Sequence, residues 1–243
     1  MPEQSSHPLA LMVRKLERRH PLSPEEQAAV LALPFTLRKL NPHDRVVWEG
    51  DRPQHTCLLL SGFAFRHKVA GNGRRQIMSI QMKGDLVDLQ NSMLVIADHN
   101  VQMLSAGEMA LMPLEAIREL GQRKPNVSIA MWYETLVEGS IFREWILNNG
   151  RRNAHARIGH LLCELAVRLE VAELGNQAEY ELPMTQEQLA DAVSLTAVHV
   201  NRTLKSLEKD GYISRTKRRI TIRDWQKLAT VADFDPGYLH VRA

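Results

Sequence analysis

From Met184 to Leu207 the chain reads Met-Thr-Gln-Glu-Gln-Leu-Ala-Asp-Ala-Val-Ser-Leu-Thr-Ala-Val-His-Val-Asn-Arg-Thr-Leu-Lys-Ser-Leu, a pattern that predicts two helices joined by a three-residue turn. Thr185 and Gln188 form a capping box, in which each side chain satisfies a backbone amide at the helix start. Ala190 is small, as two closely crossing helices require. Ser194 stands in the turn where glycine is commoner, so it is expected to carry slight strain. Thr196 has the side chain of a helix N-cap. In the second helix Val200 and Leu204 point inward, while Ala197, Val198, Asn201, Arg202 and Lys205 point outward. Asp210-Gly211 ends it, since glycine takes positive φ at little cost. A short helix, a tight turn and a second helix with a polar, basic outer face suit the major groove of duplex DNA.

The charge distribution supports that reading. The 243-residue chain carries a formal net charge of only +3, too little by itself to imply a polyanionic partner. Over residues 196–223, however, eight lysines and arginines stand against two acids, a local +6. Solvated faces usually mix signs, so a one-sided block points to phosphates. Residues 213–215 and 220–222 read as strands around a basic turn at 216–219, forming a wing. An ordinary helical hairpin would need neither the basic face nor the wing. A final helix is expected over about 224–232.

Upstream, residues 125–149 predict one long helix. Ile129, Tyr133, Val137, Ile141 and Trp145 stand four apart as an apolar stripe, read as the contact with a second copy; packing within the chain is the plainer alternative. Asn148-Asn149-Gly150 looks like a break suited to a C-cap or hinge. Before it, Gly50, Gly62, Gly73 and Gly84 recur at intervals of 12, 11 and 11 residues between β-prone runs at 46–48, 57–60, 63–65 and 77–80. Further strands are expected at 100–104 and 108–112, which together suggest an antiparallel barrel or roll. Two short helices open the chain, the second with a capping box at Ser23-Pro24-Glu25-Glu26. The expected fold is α+β: an antiparallel β-roll over 1–124, a dimerisation helix over 125–149 and a winged helix-turn-helix over 150–243.

This succession of parts resembles the Crp/Fnr family, the cyclic-AMP receptor and fumarate–nitrate-reduction regulators. Gly84-Asp85-Leu86-Val87 matches the Gly-Asp turn before the family's effector pocket. Arg157-Ile158-Gly159-His160-Leu161-Leu162 looks like the helix that opens the DNA-binding domain. Thr196 and Val200-Asn201-Arg202-Thr203-Leu204 match the recognition helix, with Arg202 at the base-contacting arginine. The resemblance covers about residues 40–223 and implies a cytoplasmic, homodimeric transcription regulator rather than an enzyme. Its implied partners are double-stranded DNA, RNA polymerase and a small effector of unknown identity. That effector would sit near Gly84, Asp85, Leu86, His99 and Asn100. In the implied mechanism Arg202 reads a base, and Thr185, Gln186, Lys205, Arg215, Lys217 and Arg218 hold phosphates. Thr196, Ala197, Val198, His199 and Asn201 complete the DNA-facing set.

Departures from the family narrow the effector. By alignment Leu89 replaces the glutamate that holds the ribose in cyclic-AMP receptors, and His99 and Asn100 replace the arginine and serine that hold the phosphate. A buried phosphate wants a fixed guanidinium fork, so cyclic nucleotide is not expected. Cys57 and Cys163 stand 106 positions apart, which supports neither a disulfide framework, a clustered iron–sulfur site nor a Cys-x-x-Cys motif. His43, His55, His67 and His99 are lone histidines, more often structural than haem ligands; the cofactor is left open and no metal site is expected. The recognition helix carries Ala197-Val198 where the family commonly has an Arg-Glu pair, so operator preference should differ. A metal-dependent enzyme on a cupin-like β-roll would need converging histidines and a carboxylate, and no His-x-His pair is present. A ligand-binding module without DNA function would leave the basic block purposeless. No run approaches the ~18 apolar residues of a membrane span, and the N-terminus has no secretory pattern.

Overall fold

The computed structural model describes residues 7–241, which fall into two compact units. One comprises the chain to Arg66 with Ile80–Gly139, the other His67–Ser79 with Ser140–Val241.

In the first unit α1 (Ala10–Glu17) and α2 (Pro24–Leu31) precede the strands, whose 67–79 stretch, the end of the fourth and most of the fifth, is counted with the second unit. The capping box of α2 forms as expected: Glu26 N donates to Ser23 Oγ at 3.3 Å and Ser23 N donates to Glu26 Oε2 at 2.8 Å. Eight strands follow: β1 (Thr36–Leu40), β2 (Arg45–Val47), β3 (His55–Ser61), β4 (Ala64–Val69), β5 (Arg75–Gln81), β6 (Leu86–Val87), β7 (Asn100–Met103) and β8 (Gly107–Pro113). They form two four-stranded sheets, ordered β1-β8-β3-β6 and β2-β7-β4-β5. The pairs β1–β8, β3–β8, β3–β6 and β2–β7 are antiparallel. This is the expected roll, with three differences: β1 and β6 are not among the expected strands, and Phe63 lies outside β4. The periodic glycines all adopt positive φ, at 89°, 78°, 80° and 90°, the region where a Cβ is penalised. At Gly62 a Cβ would also stand 2.4 Å from the Ala106 carbonyl oxygen.

Apolar burial on the two sides of β3 and β8 holds this unit together. Leu40, Val47, Leu59, Val87, Val101, Met103 and Met109 fill the roll interior. Leu58, Ala110 and Met112 face outward and are covered by Leu9, Met12 and Leu16, with Ile117 of α3 (Leu114–Arg123) and Val127 and Ala130 of α4 (Pro125–Arg151). Alternation along β3 and β8 divides the two cores, as the two-residue repeat of a strand demands. Met93, Leu94, Val95 and Ile96 form an exposed apolar run between β6 and β7.

Helix α4 departs from expectation in two respects. Val137 and Trp145 are only 4% and 6% exposed within their own chain, so they are not available to a second copy. The exposed apolar side chains of the first unit's part of α4 are Ile129, Trp132, Tyr133 and Leu136, with Trp132 at 67% and Leu136 at 53%. In addition, the helix continues through Asn149-Gly150 to Arg151. Asn148 Nδ2 donates to the Arg157 carbonyl at 3.2 Å and Asn149 Nδ2 to the Ala192 carbonyl at 3.0 Å. These bonds tie the expected hinge residues down, and the chain breaks instead just before Asn153, the N-cap of the next helix.

The second unit contains α5 (Ala154–Val171), β9 (Glu179–Glu181), α6 (Gln186–Val193), α7 (Ala197–Lys209), β10 (Ile213–Thr216), β11 (Arg219–Ile222) and α8 (Trp225–Val231). A three-stranded sheet, β10-β11-β9, backs the wing; β9 was not foreseen. Ile158, Leu162 and Leu165 of α5 are buried, as are Leu189, Val200, Leu204 and Leu228. A Cβ on Gly159 would lie 3.0 Å from the Ala232 Cβ, so this glycine lets α5 approach the end of α8 closely. Glu164 is fully buried, and it is satisfied by the Trp145 indole N–H at 2.9 Å, the Tyr238 hydroxyl at 2.8 Å and Arg168 at 3.0 Å. That set offsets the desolvation a buried carboxylate suffers.

Candidate nucleic-acid interface

Local hydrogen bonds build the helix-turn-helix. Gln188 N donates to Thr185 Oγ1 at 3.2 Å and Thr185 N to Gln188 Oε1 at 2.8 Å, completing the box at the start of α6. Ser194 ends that helix in the left-handed region at φ 53°, the strain expected of a serine in glycine's place. Leu195 N donates to the Ala190 carbonyl at 3.1 Å, and His199 N donates to Thr196 Oγ1 at 3.2 Å to cap α7. The turn therefore comprises Ser194, Leu195 and Thr196, three residues.

Helix α7 separates its faces sharply. Val200, Thr203, Leu204 and Leu207 are buried, whereas Val198, Arg202 and Lys205 are exposed. Val198 is 81% exposed, an apolar side chain held in water among cations. Asn201 Nδ2 donates to Gln186 Oε1 at 3.0 Å, linking the outer face of α7 to the first residue of α6. Gln186 was expected only to hold phosphate; the structure gives it this second partner.

The wing is the hairpin of β10 and β11, in register from Ile213↔Ile222 to Thr216↔Arg219. Lys217 and Arg218 form its exposed tip, with Lys217 at φ 57°. Arg215 is corrected from phosphate holder to internal anchor. Its Nη2 lies 2.7 Å from Glu208 Oε2 and its side chain is only 19% exposed. That pair fastens the wing to the C-terminal end of α7, where a cation also complements the helix dipole, and it holds the Glu208 carboxyl below its ordinary range.

In the first unit the expected effector residues divide. Gly84 and Asp85 make a turn: Asp85 accepts the Met82 amide at 2.9 Å and pairs with Lys15 at 2.7 Å. Asn100 Oδ1 accepts the Glu49 amide at 3.0 Å, and Leu86 is buried on β6. Asp85 and Asn100 are thus committed to the backbone, a correction to their reading as effector contacts. His99 alone joins a polar centre, which four unforeseen residues complete. Buried Arg66 donates through Nε to Asp88 Oδ1 at 2.9 Å and pairs through Nη1 with Glu138 of α4. His99 Nε2 lies 2.9 Å from Asp88 Oδ1 and its Nδ1 2.6 Å from Asp98. Burial opposes ionisation of Asp88, yet the Arg66 charge and the His99 bond hold its carboxyl down at about 2. Burial likewise opposes charging His99, but the bond to and charge of Asp88 raise its pKa overall.

This centre does not fit a cyclic phosphate. Its guanidinium already serves two carboxylates through Nε and Nη1, which leaves only Arg66 Nη2 without a hydrogen-bond partner among the described residues, and a further anion there would meet Asp88, Glu138 and Asp98. One signal was visible beforehand: an arginine following Phe63-Ala64-Phe65 places a charge on an apolar strand. Both cysteines are buried, and burial pushes each thiol up to about 12. Among the described residues no three His, Cys, Asp or Glu side chains come together to hold a metal, and no helix is long and apolar enough to cross a membrane.

Comparison with known proteins agrees with this geometry. Residues 37–124 match the cyclic nucleotide-binding domain and residues 156–231 the Crp-like helix-turn-helix domain. The chain is 28% identical over 214 residues to the transcriptional activator protein FnrL of Cereibacter sphaeroides, covering 86% of each. It is 25% identical to the nitrogen fixation regulation protein FixK of Azorhizobium caulinodans, over 88% of this chain and 84% of that one. The structure of FixK2 from Bradyrhizobium japonicum superposes with a TM-score of 0.76 at 22% identity, covering 82% of this chain and 98% of that one. A roll matched to one domain and a capped helix-turn-helix with a basic wing matched to the other give this chain the cyclic nucleotide-binding and Crp-like helix-turn-helix domains in sequence, an arrangement similar to that of the Crp/Fnr transcription regulators.

Proposed function

We propose that the protein acts in the cytoplasm as a homodimer that reads a two-fold symmetric operator and then engages RNA polymerase. The exposed face of α7 carries this reading: Arg202 stands between Val198 and Lys205 at helical spacings of four and three, with a buried apolar face behind it. Arg202 would donate to guanine O6 and N7, and Lys205, Lys217 and Arg218 would hold phosphates. Ile129, Trp132, Leu136 and Gly139 alternate spacings of three and four, the rhythm of a paired helix seam, which supports α4 as the dimer contact. A small effector acting on the roll would change DNA affinity by favouring one arrangement of the dimer over another.

The experiment is selection of bound sites from random DNA, followed by binding isotherms. Two half-sites about one helical turn apart, roughly 34 Å, are expected. Arg202→Ala should cost about 1–3 kcal/mol on the selected site and relax preference at one base pair per half-site. Lys217→Ala should weaken all sequences alike and flatten the salt dependence by about one unit of slope. Identical behaviour of the two variants would reduce Arg202 to a phosphate contact.

A further inference from the structure

We propose that the carboxamides of Gln186 and Asn201 work as one reader of adenine in the major groove. The inference deepens the DNA-binding role by naming a second base contact and the base it takes.

The starting observation is the 3.0 Å bond from Asn201 Nδ2 to Gln186 Oε1. The two residues are 15 apart in sequence and belong to different helices, so the turn Ser194-Leu195-Thr196 brings them together. A carboxamide has one acceptor oxygen and two N–H donors. The single bond consumes one donor of Asn201 and one lone pair of Gln186. Among the described residues neither side chain makes another bond, which leaves Asn201 Oδ1 as an acceptor beside Gln186 Nε2 as a donor. Rotating both amides by half a turn reverses the bond but leaves the same complement, one acceptor and one donor.

Adenine presents an acceptor, N7, beside a donor, N6, at its major-groove edge, whereas guanine presents two acceptors, N7 and O6. A donor–acceptor pair therefore complements adenine and opposes its oxygen to guanine O6. Position agrees with chemistry. Asn201 follows Ala197 by four residues and Val198 by three, so it lies on the face with the small alanine and the exposed valine. Ala197 offers no long side chain to cover the amide. The mutual bond also fixes two otherwise rotatable side chains before DNA arrives, and such preorganisation lowers the entropic cost of binding. A lone phosphate contact from Gln186 would require no partner on α7.

The test uses the full-length protein on its selected operator. Gln186→Ala and Asn201→Ala change exposed or half-buried side chains, and circular dichroism verifies that both variants fold. The selected half-site should contain one adenine whose replacement by guanine weakens binding by on the order of 10- to 100-fold. Replacing that adenine with 7-deazaadenine, which lacks N7, should weaken the native protein as well. Each single variant should lose both discriminations, and the double variant should lose no more than either single one. The proposal is overturned if no adenine loses its preference in either variant. It is equally overturned if Gln186→Ala weakens every sequence alike and lowers the salt slope, as a phosphate contact would. Failure to enrich any site would instead sink the DNA-binding role itself.

Discussion

A carboxylate as deeply buried as Asp88, 1% exposed, stays ionised only where counter-charges are built in beside it. Arg66 and His99 supply them, and the proton on His99 becomes part of the fold's stability. The pKa of His99 is raised above its ordinary 6.5, so its contribution is complete below about pH 6.5 and fades as pH rises through the higher folded value. Asp88 works oppositely, its contribution being lost as pH falls from 3.8 toward about 2. The facing groups are Asp88, Asp98 and Arg66, with Glu138 behind the guanidinium. Urea midpoints should therefore fall between pH 6 and 9 in the native protein and change less in His99→Gln. Equal slopes in the two proteins, or an imidazole resonance titrating below 6.5, would refute the linkage. Of this centre only His99 stood out in the sequence as a site residue, and the charge of Arg66 on an apolar strand says nothing of its partners. Arg66 is 22 residues from Asp88 and 72 from Glu138, and local patterns carry no information about which distant charges converge. The interface residues were more readable because capping boxes and face alternation are local. Arg215 was misread because its basic side chain says nothing of a carboxylate one turn of structure away.

Helix α4 shows how periodicity can be right in kind and wrong in phase. Residues spaced by four advance about 40° around a 3.6-residue helix at each step, so Ile129 and Trp145 end roughly 160° apart. A stripe of that kind cannot face a single partner along its length. Its trailing members turned inward, and Trp132 and Leu136 hold the outward positions. Replacing Val137, 4% exposed, by glutamate would damage the monomer and say little about dimers. Leu136→Glu puts the charge on the outer face instead. It should raise the dimer dissociation constant at least tenfold, with far-ultraviolet dichroism unchanged, and operator affinity should fall with it. An unaltered dimer in sedimentation would remove this face of α4 from the interface. The same helix hid its end: Asn149-Gly150 has the composition of a stop, but side-chain bonds to the Arg157 and Ala192 carbonyls hold it in register, a tertiary effect that overrides local propensity.

At the scale of the molecule, the order of parts was readable because each announces itself in a different rhythm. Turn glycines spaced 11 or 12 apart mark the roll, a long uninterrupted amphipathic run marks α4, and capped short helices followed by a basic hairpin mark the DNA-binding end. Strands β1, β6 and β9 are not legible because each is short, β1 and β9 being polar as well, and they exist by pairing with β8, β3 and β11. The matched domain is named for cyclic nucleotides, yet its polar centre gathers three carboxylates around Arg66 and His99. Cyclic AMP at millimolar concentration should accordingly leave operator affinity unchanged, and calorimetry showing micromolar binding would contradict that.

The two buried thiols have a practical consequence. With their pKa values near 12, Cys57 and Cys163 are almost entirely protonated at neutral pH, and the thiolate is the nucleophile. The native protein should tolerate maleimides and disulfide reagents without harm, and modification should wait for local opening. Cys57 belongs to one compact unit and Cys163 to the other. The wild-type chain thus carries two native labels, and peptide mapping after timed alkylation would report how often each half unfolds, separately and with no engineered cysteine.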